Sequence, residues 1–388
     1  MADKPVSRKC RLCGTQSELS FPLGVSPTAA QHFDDVYEPG QIENLNVLEC
    51  PRCGLVYLNS DPVPYYRSVK RNTQLSSELT ALRTRLAESL KHSLRLAGHQ
   101  KPSLFEVGAH TGENLDIFAR AGFEVTGCEY LNGSNARSVN QAGFAIWDFS
   151  LDRLNPVFPG EVGDFDVVVS FNFLEHFADP TAGLDNIASL MRPSGVGYLE
   201  VPNFDKIVDS GNFLEFVPDH LSYFNLQSLN YALKQAELVA TRVDSTFDDY
   251  ILSCQFKKYT PVDWGKFKTQ RELLRDDLSQ FFRNMRKGNL DCFLWGAGHQ
   301  ALLMIKNFGL EYSFEAIIDS SPNKAGKYCR GIPIPIEPPS FLETLSSPSS
   351  ILVCAGGFNE EIIKGLCTYD QVVKIYEISH GRIKTVRS

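Results

Sequence analysis

Ser103-Leu104-Phe105-Glu106-Val107-Gly108-Ala109-His110-Thr111-Gly112-Glu113-Asn114-Leu115 is a short apolar run that stops at two glycines and opens into a helix-compatible segment. It reads as strand, tight turn and helix N-terminus. Gly108 and Gly112 let the backbone pass close to a ligand, and the first N–H groups of the helix, which have no intrahelical acceptor, face anything polar bound there. About twenty residues on, the apolar run Phe123-Glu124-Val125-Thr126-Gly127-Cys128 ends at Glu129, an acid at a strand end with the reach to take both hydroxyls of a ribose. The spacing is that of a nucleotide-type βαβ site.

Glu106, Gly108 and Gly112 match Glu-x-Gly-x-x-x-Gly, and through that motif the sequence resembles the class I S-adenosylmethionine-dependent methyltransferases. A dinucleotide-type Gly-x-Gly-x-x-Gly is absent. Asp164-Phe165-Asp166-Val167-Val168-Val169-Ser170-Phe171 is similar to the family's fourth strand, with Asn172 to Phe177 as the turn after it, and Leu190 to Asn203 resembles the next turn and strand. The resemblance implies an α/β Rossmann-like core that binds S-adenosyl-L-methionine. Gly143 to Asp148 then becomes the third strand, Asp148 the partner of the adenine amino group, Phe149 a surface for the ring, and Asn172 a further cofactor-side residue. It also implies that Leu174-Glu175-His176 is a feature of the fold, which leaves His176 a structural or cofactor-shelf role.

At 388 residues the chain exceeds one ordinary core. With 43% apolar and 22% charged residues it is of ordinary globular composition, and a net charge of −8 argues against a phosphate-backbone-binding surface. No apolar run approaches the roughly 20 residues that cross a bilayer, and no signal-peptide pattern opens the chain. A cytoplasmic location, with neither nucleic acid nor membrane as partner, is expected.

Four of the ten cysteines form Cys10-Arg11-Leu12-Cys13-Gly14 and Cys50-Pro51-Arg52-Cys53-Gly54. Two such knuckles supply the four thiolates of a tetrahedral structural zinc, leaving no open position for catalysis. Redox or incidental pairing is the alternative. The segment between them looks too poor in core to fold without a staple. The remaining cysteines (Cys128, Cys254, Cys292, Cys329, Cys354, Cys367) read mostly as small core hydrophobes.

Apolar residues at 75, 79, 82, 86, 90 and 94 predict a helix covering one face of the sheet, its Arg and Lys side chains solvated. After Asn203 comes an insertion, Phe213 to Asn225, at the carboxyl edge of the sheet where open α/β folds bind ligands. Within it His220, flanked by Asp219 and Tyr223, is the best general base in the chain, a satisfied structural histidine being the alternative. A polar stretch from Lys257 to Lys287 reads as a linker helix. A second βαβ unit follows, with Trp295-Gly296-Ala297-Gly298 as its turn and Asp319 ending the next strand.

The expected architecture is a zinc-binding module over 1–70, a methyltransferase domain over 71–256 and a Rossmann-like α/β domain over 257–388. That order resembles the zinc-containing sugar C-methyltransferases that act on nucleotide-linked keto-deoxysugars. Asp219-His220-Leu221-Ser222-Tyr223-Phe224 is similar to their Glu-His-Leu-Ser-Tyr-Phe, whose histidine is the proposed base. Asp219 replaces the family's Glu, Val217 its usual Tyr, and the connector lacks its serine-rich stretch, although Tyr65 or Tyr66 is placed to supply its substrate-facing tyrosine. The resemblance implies carbon methylation of a small-molecule acceptor by a monomer or homodimer, with Asp219, His220, Tyr223 and Tyr66 at the reacting centre. The C-terminal domain is expected to hold the acceptor's carrier group or only to pack. O- or N-methylation, and a non-enzymatic binding role on this fold, are the competing readings.

Overall fold

The computed structural model describes residues 7–27, 42–62, 75–96, 98–129, 137–139, 143–148, 151 and 163–387. The chain falls into two compact units, Met1–Thr260 and Pro261–Ser388. The first unit begins with β1 (Ser7–Lys9), β2 (Gln16–Pro27), β3 (Ile42–Glu49) and β4 (Val56–Leu58), antiparallel neighbours in that order. Then come α1 (Ser77–Leu96), β5 (Ser103–Val107), α2 (Glu113–Arg120), β6 (Glu124–Glu129), β7 (Arg137–Val139), β8 (Ala145–Asp148) and β9 (Phe165–Phe171). The unit closes with α3 (Pro180–Leu190), β10 (Met191–Pro202), α4 (Phe204–Ser210), β11 (Ser222–Tyr223), α5 (Leu226–Gln235), β12 (Leu238–Thr246) and β13 (Ile251–Lys258).

The central sheet runs β12-β13-β10-β9-β5-β6-β8-β7. Its middle five strands are parallel, and antiparallel strands close both sides. β9 is buried over six of its seven residues, Phe165–Ser170, with Val167, Val168 and Val169 at its centre, as expected of a strand covered on both faces. The chain leaves β5 toward β6 on one side and returns to β9 on the other, so the crevice at the carboxyl ends of β5 and β9 is the topological switch point. α3 starts on a local signal: Asp179 caps the N–H of Ala182, and Pro180 occupies the first turn.

α1 packs Ala87, Leu90 and Leu94 against Leu104, Leu115, Phe118, Val167 and Val169. Arg85 and Arg95 are exposed, as expected of its basic residues, but two others are not. Arg83 and Lys91 are 3% and 7% exposed, because they lie on the same arc as the leucines and each finds buried acceptors. Arg83 pairs with Glu200, and Lys91 donates to the carbonyls of Gly122 and Gln100.

The N-terminal sheet is not closed by its own sequence. Its fifth strand is β11, Ser222 pairing with Tyr57 and Tyr223 with Val56. Cys10, Leu12, Leu48, Cys50, Cys53, Leu55 and Tyr57 share one apolar cluster with Phe177, Leu184, Phe224 and Leu229. The missing core of the N-terminal segment is therefore supplied by the larger sheet's helices, in addition to anything the cysteines bind.

The second unit contains α6 (Trp264–Gly288), β14 (Asp291–Trp295), α7 (His299–Phe308), β15 (Ala316–Ile318), β16 (Lys327–Tyr328), β17 (Pro335–Glu337), β18 (Ser349–Val353), α8 (Asn359–Leu366), β19 (Val372–Ser379) and β20 (Arg382–Arg387). Its sheet order is β16-β17-β15-β14-β18-β19-β20, again with a switch point at its first strand, β14. α6, read from sequence as a linker, belongs to this unit's core: Leu278, Phe281 and Met285 are buried against Leu294, Ile305 and Tyr376, and Asp277 pairs with Arg382. Its polar composition reflects its exposed face.

Candidate active site

The turn after β5 is shaped by positive backbone angles, with Gly108 at φ 76° and Gly112, the N-cap of α2, at φ 89°. A side chain at Gly108 would meet the ring of Phe173 at 2.6 Å, and one at Gly127 would meet Ala109 at 2.6 Å, so glycine is needed for the close approach of β5, β6 and the turn after β9. The N–H groups of Gly108 and Ala109 both donate to the carbonyl of Cys128. That of Gly112 donates to Ala109 O at 2.8 Å. Glu129 ends β6, and its Oε2 accepts from His110 N at 2.9 Å.

Glu106 is 1% exposed, and Asn114 donates to its Oε1 at 2.7 Å. Its Oε2 is buried without a hydrogen-bond partner. Burial pushes this carboxyl up to about 8, with Asn114 and Arg83 pulling the other way. A buried carboxylate oxygen lacking a donor, beside a glycine turn, fits a cationic ligand group. Asp148 ends β8 and is 5% exposed. Asn172, φ 48°, turns the chain out of β9 while donating its N–H to Glu200 O. Phe149 lies outside the described residues, as does Tyr66.

Phe173 connects this turn to a second cluster. Its ring covers Gly108 on one side and lies 6.1 Å from that of His176 on the other. His176 in turn meets His220 edge-on at 4.8 Å. The short 3-10 turn Leu174–His176 and the insertion are tied by the Leu221 N–H donating to Glu175 O at 2.8 Å. Asp219 does not act only on its neighbour in sequence. Its backbone oxygen lies 2.8 Å from His176 Nδ1, and its carboxylate Oδ2 lies 3.8 Å from the same atom. Tyr223 is 2% exposed, and its hydroxyl accepts from Val217 N at 2.9 Å and donates to Glu215 O at 3.2 Å. It braces the loop that carries His220. Sequence reading discounted His176 and missed Phe173; the aromatic residue directly after the β9 turn was the available signal.

The four cysteines Cys10, Cys13, Cys50 and Cys53 place their sulfurs within 4.8 Å of one another. Cys10 to Cys53 is 3.5 Å and Cys13 to Cys50 is 3.4 Å. Gly14 and Gly54, at φ 67° and 72°, close the two knuckles by donating to the carbonyls of Cys10 and Cys50. A tetrahedral zinc with bonds of about 2.3 Å sets its sulfurs roughly 3.8 Å apart, so the donor set fits that ion.

In the second unit a cavity of about 780 Å³ opens at the carboxyl ends of β14, β15 and β18, lined by Gly296, Gly298, Asp319, Lys324, Phe358 and Tyr369 among others. The turn's amides are less available than the sequence suggested. Gly296 N donates to Ile318 O, and Ala297 N donates to Asp319 Oδ2 at 2.8 Å. Lys324 Nζ sits 2.9 Å from the same carboxylate oxygen. Burial raises Asp319, but these donors outweigh it and hold the carboxyl below its usual range.

Residues 72–243 match the family model of a methyltransferase domain, and residues 242–372 that of a C-methyltransferase C-terminal domain. The C-methyltransferase NovU of Streptomyces niveus is 26% identical over 238 residues, 57% of this chain and about half of that relative's length (53%). Among solved structures, an N1-methyltransferase of 1,6-didemethyltoxoflavin from Burkholderia thailandensis covers 59% of this chain and 99% of its own, at 14% identity and TM-score 0.36. An S-adenosylmethionine-dependent methyltransferase from Clostridium acetobutylicum covers 46% and 92%, at 6% identity and TM-score 0.34.

Proposed function

We propose that the chain acts as a class I S-adenosylmethionine-dependent methyltransferase that methylates a carbon atom next to the keto group of a nucleotide-linked deoxysugar, with His220 as the base. The observation that carries this reading is the run of contacts from Gly108 through Phe173 and His176 to His220, which sets the proposed base two rings away from the cofactor turn.

The methyl donor supplies an electrophilic methyl group on a sulfonium. Glu106 is suited to its amino-acid end, Glu129 to its ribose and Asp148 to its adenine. His220 takes the proton from the carbon acid and becomes imidazolium, and Asp219 lies beside it in sequence to balance that charge. The electron pair left on carbon would form the new bond to the methyl group as the methyl–sulfur bond breaks, its electrons staying on the sulfur of the departing S-adenosylhomocysteine. Tyr223, with its hydroxyl engaged by the backbone, serves to position the loop rather than to exchange protons. A zinc on Cys10, Cys13, Cys50 and Cys53 is structural in this reading.

Exchange of solvent deuterium into a nucleotide-linked keto-deoxysugar, measured with S-adenosylhomocysteine bound, tests the reading. Exchange that is lost in His220→Ala supports carbon methylation. Full activity of that variant removes His220 from the mechanism, and methylation of hydroxyl or amine acceptors without exchange selects O- or N-transfer instead.

A further inference from the structure

We propose that Phe173 is a specificity-determining residue of the methyl-donor site, its ring attracting the sulfonium of S-adenosylmethionine but not the neutral thioether left after transfer, a role that rests on the donor lying at Glu106, Glu129 and Asp148. Glu106 is the last residue but one of β5, and Glu129 and Asp148 end β6 and β8. The sheet order there is β9-β5-β6-β8. In the methyl donor the sulfonium stands between the amino-acid group and the ribose. A donor laid across that edge with its adenine toward β8 therefore has its sulfonium at the β5 end, beside the turn that leaves β9. Phe173 is the second residue of that turn, β9 ending at Phe171.

Neighbouring side chains and one glycine fix the ring in that place. Its Cδ2, Cγ and Cε2 lie 2.6, 2.7 and 2.9 Å from where a Cβ on Gly108 would stand, which seats the ring against the cofactor turn. Phe177 meets it at an interplanar angle of 85°, with centroids 5.4 Å apart, and the ring of His176 lies 6.1 Å away. The residue is only half-buried, so part of its surface stays open to a ligand. A methylsulfonium has no N–H or O–H to donate, so it is not bound through hydrogen bonds of the kind an ammonium group makes. The negative face of an aromatic ring attracts such a cation when it lies within about 6 Å of the centroid. A phenyl ring also carries no lone pair that competes with the acceptor for the methyl group. Transfer removes the positive charge from sulfur, so the attraction ends with the reaction and the product is held less tightly than the donor.

The test is calorimetric titration of the full chain with three ligands: S-adenosylmethionine, the neutral S-adenosylhomocysteine, and sinefungin, in which a carbon bearing an ammonium group replaces the methylsulfonium. Phe173→Leu is expected to weaken binding of the two cations by roughly fivefold or more and that of S-adenosylhomocysteine by less than about twofold. Phe173→Tyr should keep the preference of the parent. Phenylalanines carrying increasing numbers of fluorine atoms at position 173 drain the ring face of negative charge at nearly constant shape. They should weaken S-adenosylmethionine binding stepwise, and they give the answer if Phe173→Leu fails to fold. Equal weakening of all three ligands in Phe173→Leu, or affinity for S-adenosylmethionine that is independent of fluorination, overturns the proposal and leaves the cofactor assignment standing. A folded parent that binds none of the three overturns both.

Discussion

Arg83 on α1 and Glu200 on β10 meet in a two-point ion pair, Nη1 to Oε1 at 2.6 Å and Nη2 to Oε2 at 2.5 Å, with both side chains almost fully buried. Tyr198 donates a third bond to Glu200 at 2.9 Å, and the guanidinium lies 3.9 Å over the ring of Phe171. The pair fastens the covering helix to the strand whose carboxyl end leads into the insertion.

Removing only Arg83 leaves a buried carboxylate uncompensated. Arg83→Met is expected to lower the unfolding free energy by about 3–5 kcal/mol, and Arg83→Met with Glu200→Met to recover most of it. Urea denaturation of the three proteins checks this; a single variant within about 1 kcal/mol of the parent would show that the pair is not desolvated in solution.

Glu106 titrates near 8 in the fold against an ordinary value of 4.5. The folded state therefore holds a proton that the unfolded chain releases, and its stabilising effect is complete below about pH 4.5 and lost as pH rises through 8. Glu106→Gln should remove a decline of the order of a few kcal/mol across that window. The same substitution should abolish S-adenosylhomocysteine binding. Calorimetry in buffers of different ionisation enthalpy should show the parent releasing a proton on binding near neutral pH. A pH-independent parent, or unchanged binding by Glu106→Gln, contradicts the assignment.

Gly108→Ala puts a methyl group into the Phe173 ring at a positive φ. Cofactor affinity should fall by at least tenfold, the strain of φ alone costing on the order of 1 kcal/mol. Adding Phe173→Ala should restore part of the loss. Equal affinity of Gly108→Ala and the parent, measured by calorimetry, would show that the turn does not border the ligand.

Because β11 completes the N-terminal sheet, loss of the proposed zinc should reach His220. Chelation, or Cys50→Ser, is expected to lower the thermal midpoint and to increase amide exchange at residues 215–224. Protection of that segment unchanged after complete metal removal would dissociate the two.

The sequence by itself determined what is local. Glu106, Gly108 and Gly112 specify a strand, turn and helix within seven residues, Glu129 and Asp148 follow from strand ends, and the paired knuckles follow from a Cys-x-x-Cys-Gly repeated once. Such features are legible because their spacing is set by one turn or one strand. Tertiary structure alone decided that Arg83 turns inward, that Tyr57 pairs with Ser222 across 165 residues, and that the ring of His176 comes to lie edge-on to that of His220. These depend on which faces of distant segments the two sheets bring together. No periodicity records them, because a lysine or arginine on an apolar arc and a histidine after a strand look the same in sequence whether or not a partner arrives.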